Sequence, residues 1–333
     1  MDQATHAWIA TRAVGLLESD DKTKVLAKVL RPHIPSAAYG AWLPDLTAAK
    51  PGSGLTQNHI FKMLPYKGSG EDRFKLPFAG LQKRLGSKRA VLGFLSKHGD
   101  RLGEGWWEKA YKASPPPGKH LANRIMSLHT SLVDRLLLAD DLLAKALGIE
   151  AELGHPLGKE ARTQSEELAL HLFMLSHFVA DTCMPCHCDG RDLHDYAKGL
   201  HKELEKHWSD QVGSFFKKSE EGPLPKKPAA CLSEAKAVDE TLGLKFPSEI
   251  PPCKSGDVWE EAVVLCRASF AVAGVMAPPA DYPYGGKATG KPVWSSLQAN
   301  PDLLAEIDRC VLQDAVLNVA MFWKSVFTKV QKS

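Results

Sequence analysis

Apolar residues recur at three- and four-residue spacing along most of the chain, and alternation with a period of two is nearly absent, so the sequence predicts helices rather than strands. The expectation is an all-α protein, a single multi-helix domain over residues 1–333. His6, Ile9, Ala10, Ala13 and Leu17 fall on one stripe of a first helix, and Ala122 to Leu147 and Leu303 to Phe327 predict further amphipathic helices. Ala79 to Leu95 is a weaker one, because Gly80, Gly86 and Gly93 each cost helix stability. Asn300-Pro301 offers an N-cap and a first-turn proline to the last helix. Pro- and Gly-rich punctuation separates these stretches, with no internal repeat, low-complexity block or flexible interdomain linker.

The stretch from Gln164 to about Asp181 is the most informative. Thr163 and Glu166 have the spacing of a capping box, and Pro185 lies just beyond the far end. Leu168, Leu172, Phe173, Leu175, Phe178 and Val179 belong to a pattern that is apolar on nearly every side, which marks a helix buried inside a bundle. An unpartnered carboxylate or imidazole is costly there, so His171, His177 and Asp181 each need a hydrogen bond, an ion partner or a metal. His177 and Asp181, four residues apart, share a face. His171 points about 120° away from His177 and reads as a hydrogen-bonded core or supporting histidine rather than a ligand.

With 333 residues and 42 Lys+Arg against 39 Asp+Glu, the chain has material for a substantial core, and its formal net charge of +3 lacks the field that drives non-specific nucleic-acid binding. No run of about 18 apolar residues occurs, so no bilayer-spanning segment is expected and the chain reads as soluble. The first residues lack the basic start and apolar core of a signal peptide, which fits a cytoplasmic protein or a mature chain without its leader. Seven cysteines, three of them in Cys183-Met184-Pro185-Cys186-His187-Cys188, are too sparse and uneven for a disulfide framework. They read mainly as buried thiols, with a local disulfide or extra soft metal ligands as alternatives.

Histidine is distributed unevenly. Seven of the 13 lie between His155 and His207, where an even spread gives about two. Within that window His177-x3-Asp181-x5-His187 is followed by His201-x3-Glu205, so two helices each present a pair at i,i+4 with a third histidine in the turn between them. One such pair is usually an ordinary helix contact. Two pairs bracketing another histidine instead suit a metal, since imidazole and carboxylate one turn apart can converge on a single ion.

The rest of the chain adds His6 on the first apolar stripe, Asp45 in Trp42-Leu43-Pro44-Asp45 and His59 in Gln57-Asn58-His59-Ile60. Taken with His177-Phe178-Val179-Ala180-Asp181 and Pro185-x-His187, these segments resemble the zinc-dependent phospholipase C and S1/P1 nuclease superfamily. Asp45-x13-His59, His177-x3-Asp181-x5-His187 and His187-x13-His201-x3-Glu205 are similar to the phospholipase C branch, including Glu205 where the nucleases usually have Asp. The offset from Met1 to His6 is instead similar to the nucleases, and Met1 stands where both branches place a Trp whose amine and carbonyl bind metal. An α-amino group titrates at about 7.7 to 8.0, so a neutral amine is accessible whatever the side chain. The resemblance covers residues 1–61 and about 164–208 and implies a long insertion between about 62 and 163.

What the resemblance implies is a cluster of three zinc ions. Asp45, His59, His177 and Asp181 would hold one, His187, His201 and Glu205 a second, and Met1, His6 and the bridging Asp181 a third. Such a cluster acidifies a bound water and neutralises charge on a phosphodiester under attack. Asp45 is then the catalytic residue that orients or deprotonates that water. The activity implied is phospholipase C-like cleavage of a phospholipid headgroup, with contact to a membrane surface and no obligate protein partner. A single-strand nuclease is the alternative. Neither family pocket recurs, because Leu46 and Thr56 replace the aromatics of choline-selective phospholipases and Ile60 replaces the base-stacking aromatic of the nucleases. Members are typically exported, which favours a secreted or periplasmic protein.

Four further motifs compete for attention. Cys183-Met184-Pro185-Cys186-His187 satisfies the C-x-x-C-H signal of a c-type haem, an electron-transfer reading that leaves Asp45, His59, His177, Asp181, His201 and Glu205 without a role. Gly285-x4-Gly290-Lys291 imitates a P-loop, but Pro292 replaces the Ser/Thr. Trp106-Trp107 reads as core before it reads as a lipid anchor, and His194 as a surface residue before a supporting one.

Overall fold

Twelve α-helices and four short 3-10 turns make up the regular structure among the described residues, and the only β pairing there consists of two isolated bridges. The structure, a computed structural model, describes residues 1–50, 55–63, 120–149, 158–191, 199–216, 227–253, 257–278, 281–283 and 292–332. The Ala79-to-Leu95 helix, Trp106-Trp107, His194 and the Gly285-to-Lys291 motif lie outside them.

Helix α1 (Gln3–Ser19) starts where the Asp2 carboxylate accepts from the Thr5 amide and hydroxyl, satisfying donors that a helix start leaves open. Helices α2 (Lys24–Leu30) and α3 (Ile34–Ala48) follow. Pro44 lies inside α3 and has no N–H for the Gly40 carbonyl, so the helix is weakened just before Asp45.

The stretch predicted as one helix from Ala122 to Leu147 is two, α4 (Leu121–Leu137) and α5 (Asp141–Leu147). Asp140 leaves the helical path and accepts from the Leu143 amide at 2.7 Å, while the backbones of Leu138 and Asp140 pair with Thr163. That pairing also removes Thr163 from the capping box expected with Glu166. Helix α6 (Ser165–Asp181) begins on Gln164 without a side-chain cap.

Beyond it lie α7 (Pro185–Cys188), α8 (Leu200–Val212), α9 (Pro228–Leu242), α10 (Val258–Met276), α11 (Val293–Gln298) and α12 (Pro301–Gln331). Asn300 caps α12 through the Leu303 amide, as its sequence predicts. Among the described helices α12 alone is long and apolar enough to cross a membrane, and most of its apolar stretch is buried within the fold.

The buried pattern of α6 is explained by its neighbours: α1, α3, α4 and α12 pack around it. Helix α4 falls inside the long insertion, yet it packs on α6, α10 and α12, so this part of the insertion is integral to the bundle. Trp8, Trp208 and Trp323 fill the core, and each indole N–H reaches an acceptor: the Ala235 carbonyl, Asp308 and the Leu172 carbonyl.

Candidate metal centre

The nine residues predicted as ligands meet at one place. His6 comes from α1, Asp45 from the last turn of α3, His59 from the 3-10 turn Thr56–His59, and His177 and Asp181 from the end of α6. His187 comes from α7, His201 and Glu205 from α8, and the Met1 amine lies just before α1.

Around His177 the donor atoms lie at, or a few tenths of an ångström inside, the separations of ligands sharing an ion. His177 Nε2 is 3.0 Å from His59 Nδ1, 3.2 Å from Asp181 Oδ2 and 3.4 Å from Asp45 Oδ1. His59 Nδ1 is 2.9 Å from Asp181 Oδ2 and 3.6 Å from Asp45 Oδ1. Four donors each about 2.0–2.2 Å from a tetrahedral ion stand roughly 3.3–3.6 Å apart. His59, His177 and Asp181 form one group that could hold a metal ion, and His6, Asp45 and His177 form another.

The second oxygen of Asp181 faces the other way. Its Oδ1 is 3.4 Å from His187 Nδ1, 3.6 Å from the Met1 amine and 3.7 Å from His6 Nε2. His187 Nε2 lies 2.9 Å from His201 Nε2, which is 3.2 Å from Glu205 Oε1, and that oxygen is 3.1 Å from the Met1 amine. Glu205 thus leans toward Met1 as well as toward His201, a link the spacing alone does not predict.

The polar atoms here are buried and short of partners. Asp181 Oδ1, both ring nitrogens of His6 and His187 Nδ1 make no hydrogen bond. A buried polar group without a hydrogen bond is destabilising, and three of these atoms, His6 Nε2, His187 Nδ1 and Asp181 Oδ1, face one another, with the two imidazole nitrogens 3.7 and 3.4 Å from the carboxylate oxygen. The residues present therefore fit a cation.

Electrostatics divide the cluster into ionised acids, two bases held cationic and two imidazoles held neutral. Burial opposes a charge on the Met1 amine, but Glu205, Asp181 and Asp45 raise it to about 10. Burial likewise opposes a charge on His177, which Asp181 and Asp45 raise to about 9. His6 is held well below its ordinary value by burial, reinforced by His177 and the Met1 amine. Burial leaves His187 at about 4 in spite of Asp181. Against burial, His177, His187 and the Met1 amine keep Asp181 well below the usual carboxylate range. His177 lowers Asp45, and the Met1 amine with His201 lowers Glu205, again against burial. At neutral pH the three carboxylates are anionic and His6 and His187 keep lone pairs for a metal.

Backbone geometry aims the central ligand. His177 Nδ1–H donates to the Ala41 carbonyl at 2.6 Å, leaving Nε2 to face Asp181 and His59. His171 is not part of the cluster; its Nδ1–H donates to the Glu167 carbonyl within α6.

The centre opens on a cleft of about 290 Å³ lined by Asp45, His59, His187, His201 and Glu205, and also by Thr56, Ile60, Lys62 and Cys186. The sequence reading missed Lys62. Its signal was the short alternation Ile60-Phe61-Lys62-Met63, in which Phe61 and Met63 are buried and Lys62 is not.

None of the seven cysteines is in a disulfide, and Cys253 alone among them is not buried. Cys186 lines the cleft, whereas Cys183 lines a separate small cavity with Cys310 and Asn318, so the two thiols of C-x-x-C-H face different spaces. Neither group that could hold a metal among the described residues includes a cysteine. Compared with family models, curated proteins and solved structures, the chain shows no match.

Proposed function

We propose that the protein is a zinc-dependent phosphodiesterase of the phospholipase C and S1/P1 nuclease type, acting first on phospholipid headgroups. The observation that carries this reading is the division of Asp181, with Oδ2 toward His59 and His177 and Oδ1 toward Met1, His6 and His187. A bridging carboxylate needs that arrangement. Asp45, His59, His177 and Asp181 would hold one zinc, His187, His201 and Glu205 a second, and Met1, His6 and Asp181 a third. Imidazole and carboxylate donors suit zinc. When bound, the zinc cluster supplies Lewis acidity toward phosphoryl oxygens and a water acidified toward neutrality.

The chain's own groups do the rest. Asp45 is the outermost carboxylate, its side chain 38% exposed while that of Asp181 is 1% exposed, and His177 keeps it ionised. It is placed to take a proton from a water entering the cleft. His177, fixed by the Ala41 carbonyl, holds the Asp45 and Asp181 carboxylates at 3.4 and 3.2 Å. The size of the cleft suits one phosphoester headgroup better than a length of polynucleotide, which favours the phospholipase C reading.

Zinc content of the purified protein, followed by assays on phospholipid micelles and single-stranded DNA, tests the proposal. About three zinc ions per chain and chelator-sensitive phospholipid hydrolysis are expected. Asp45→Asn should keep its metal and lose turnover on the order of 10²-fold or more. A protein that binds no zinc, or an Asp45→Asn variant with full activity, defeats it, and cleavage of DNA without lipid hydrolysis selects the nuclease.

A further inference from the structure

Lys62 is positioned more firmly than an ordinary surface lysine. Phe61 and Met63 on either side are buried, and their amides donate to the His187 and Cys188 carbonyls at 3.0 and 2.9 Å. The Gly190 amide returns a bond to the Met63 carbonyl at 2.7 Å. These rungs tie the segment after His59 to the segment that carries His187, with Lys62 between two sets of metal-type ligands. Its ammonium donates to the Cys186 carbonyl at 2.6 Å, and the residue lines the same cleft as Asp45, His201 and Glu205. Among the described lining residues it is the one lysine or arginine. The neighbouring Cys186 thiol is pushed up to about 12 by burial and adds no charge at neutral pH.

We propose that Lys62 is the substrate-binding cation of this cleft, holding phosphoryl oxygens and making the cleft select neutral or anionic head groups over choline. The choice of a phosphoester as ligand rests on the phosphodiesterase reading; the place of Lys62 in the cleft does not. An ammonium is a compact, strongly hydrated point charge that serves well as a phosphate anchor. In so small a cleft a trimethylammonium group would stand within about 8 Å of it, where like charges cost roughly tenfold or more in affinity. The described lining residues include no Phe, Tyr or Trp whose ring face could offset that repulsion. A glycerol head group meets no such penalty.

Calorimetric titration of the zinc-loaded protein with glycerol 3-phosphate and with phosphocholine tests this, because the two share a phosphate and differ in the charge of the alcohol. Wild-type protein should bind glycerol 3-phosphate about tenfold more tightly. Lys62→Gln keeps an N–H donor for the Cys186 carbonyl but no charge; both ligands should weaken, their ratio should fall toward one, and zinc content should hold. Lys62→Arg should restore affinity and ratio. An unchanged ratio in Lys62→Gln overturns the proposal, as does a wild type that binds neither ligand. If Lys62→Gln loses zinc, raising the salt concentration on wild-type protein decides instead, since a preference based on charge shrinks with screening and a constant one refutes it. Binding is read without turnover, so a protein that hydrolyses nothing would remove the phosphodiesterase reading while leaving this result interpretable.

Discussion

Asp181 and Asp189 stand eight residues apart, both are shielded from water, and their surroundings differ in kind. Asp189 accepts from the Arg191 amide, Nε and Nη2. The rest of that guanidinium donates to the carbonyls of Ala273, Ala277 and Tyr282, so the pair closes on itself and ties the segment after α7 to the end of α10. Asp181 has one oxygen without a hydrogen bond, facing imidazole nitrogens that lack one too. Burial is the same in both places, so burial does not set the candidate centre apart. Donor atoms left over and aimed at a common space do, because a chain under pressure for stability alone gains more from apolar residues there than from an incomplete ionic cluster.

Exchanging the key residue in each region should produce opposite defects. Asp181→Asn removes the carboxylate shared by two ligand sets and leaves an amide with a single acceptor oxygen. The expected result is loss of bound zinc, read by elemental analysis, and a fall in hydrolysis of roughly 10³-fold. Arg191→Leu leaves Asp189 buried without its cation. That should cost about 3–5 kcal/mol in denaturant unfolding while zinc content stays at the wild-type level. If Arg191→Leu strips the zinc and Asp181→Asn retains it, the distinction drawn between the two clusters is wrong.

The same contrast explains what could be read from sequence. The meeting of the candidate residues was legible because a metal site imposes residue type and spacing together, as in His177-x3-Asp181 and His201-x3-Glu205. Helix α6 was legible through its nearly continuous apolar pattern, since a helix surrounded on all sides has no polar face to show. The break between α4 and α5 was not, because Asp140 acts as a cap only once Thr163, distant in the chain, pairs with Ala139. The same long-range pairing cancelled the Thr163–Glu166 box. Lys62 was hidden for a related reason: nothing local in Ile60-Phe61-Lys62-Met63 says that its backbone will pair with residues 187–190. The sharing of Glu205 between His201 and the Met1 amine likewise depends on how α8 lies against α1.

A second histidine at the same acidity as His187 sharpens the comparison through pH. Burial, with a smaller contribution from Lys329, holds His129 at about 4, but its Nε2–H has a partner in Ser325 Oγ at 2.8 Å, and the Ser325 hydroxyl donates to the Phe322 carbonyl. The folded value lies below the ordinary 6.5, so the unfolded chain takes up a proton that the native state refuses. Stability from this group is complete above pH 6.5 and is lost as pH falls from 6.5 toward 4, by about 3 kcal/mol at most. His129→Gln, which can still meet Ser325, should flatten the acid limb of a urea-midpoint profile by that order and leave zinc content at pH 7 unchanged. An acid limb as steep in the variant as in wild type would assign the loss to other groups.

The smallest expected change in stability comes from a position with no polar atoms in its side chain at all. A Cβ on Gly40 would sit 2.8 Å from the Cβ of Phe173, too close for contact, and a Cβ cannot swing aside as a side-chain tip can. Gly40→Ala must therefore lift α3 away from α6. Alanine recovers close to 1 kcal/mol of helix propensity, so the net cost should be only about 1–2 kcal/mol. The shift would nevertheless be transmitted, because the next residue, Ala41, supplies the carbonyl that fixes His177, and Asp45 follows one turn later. Loosening that support should weaken zinc binding roughly 10–100-fold, measured by competition with a chromophoric chelator. The variant would then be nearly as stable as wild type and poor in zinc, the reverse of Arg191→Leu. Wild-type zinc affinity in a destabilised Gly40→Ala protein would show that the α3–α6 contact serves the fold alone and that His177 keeps its aim without it.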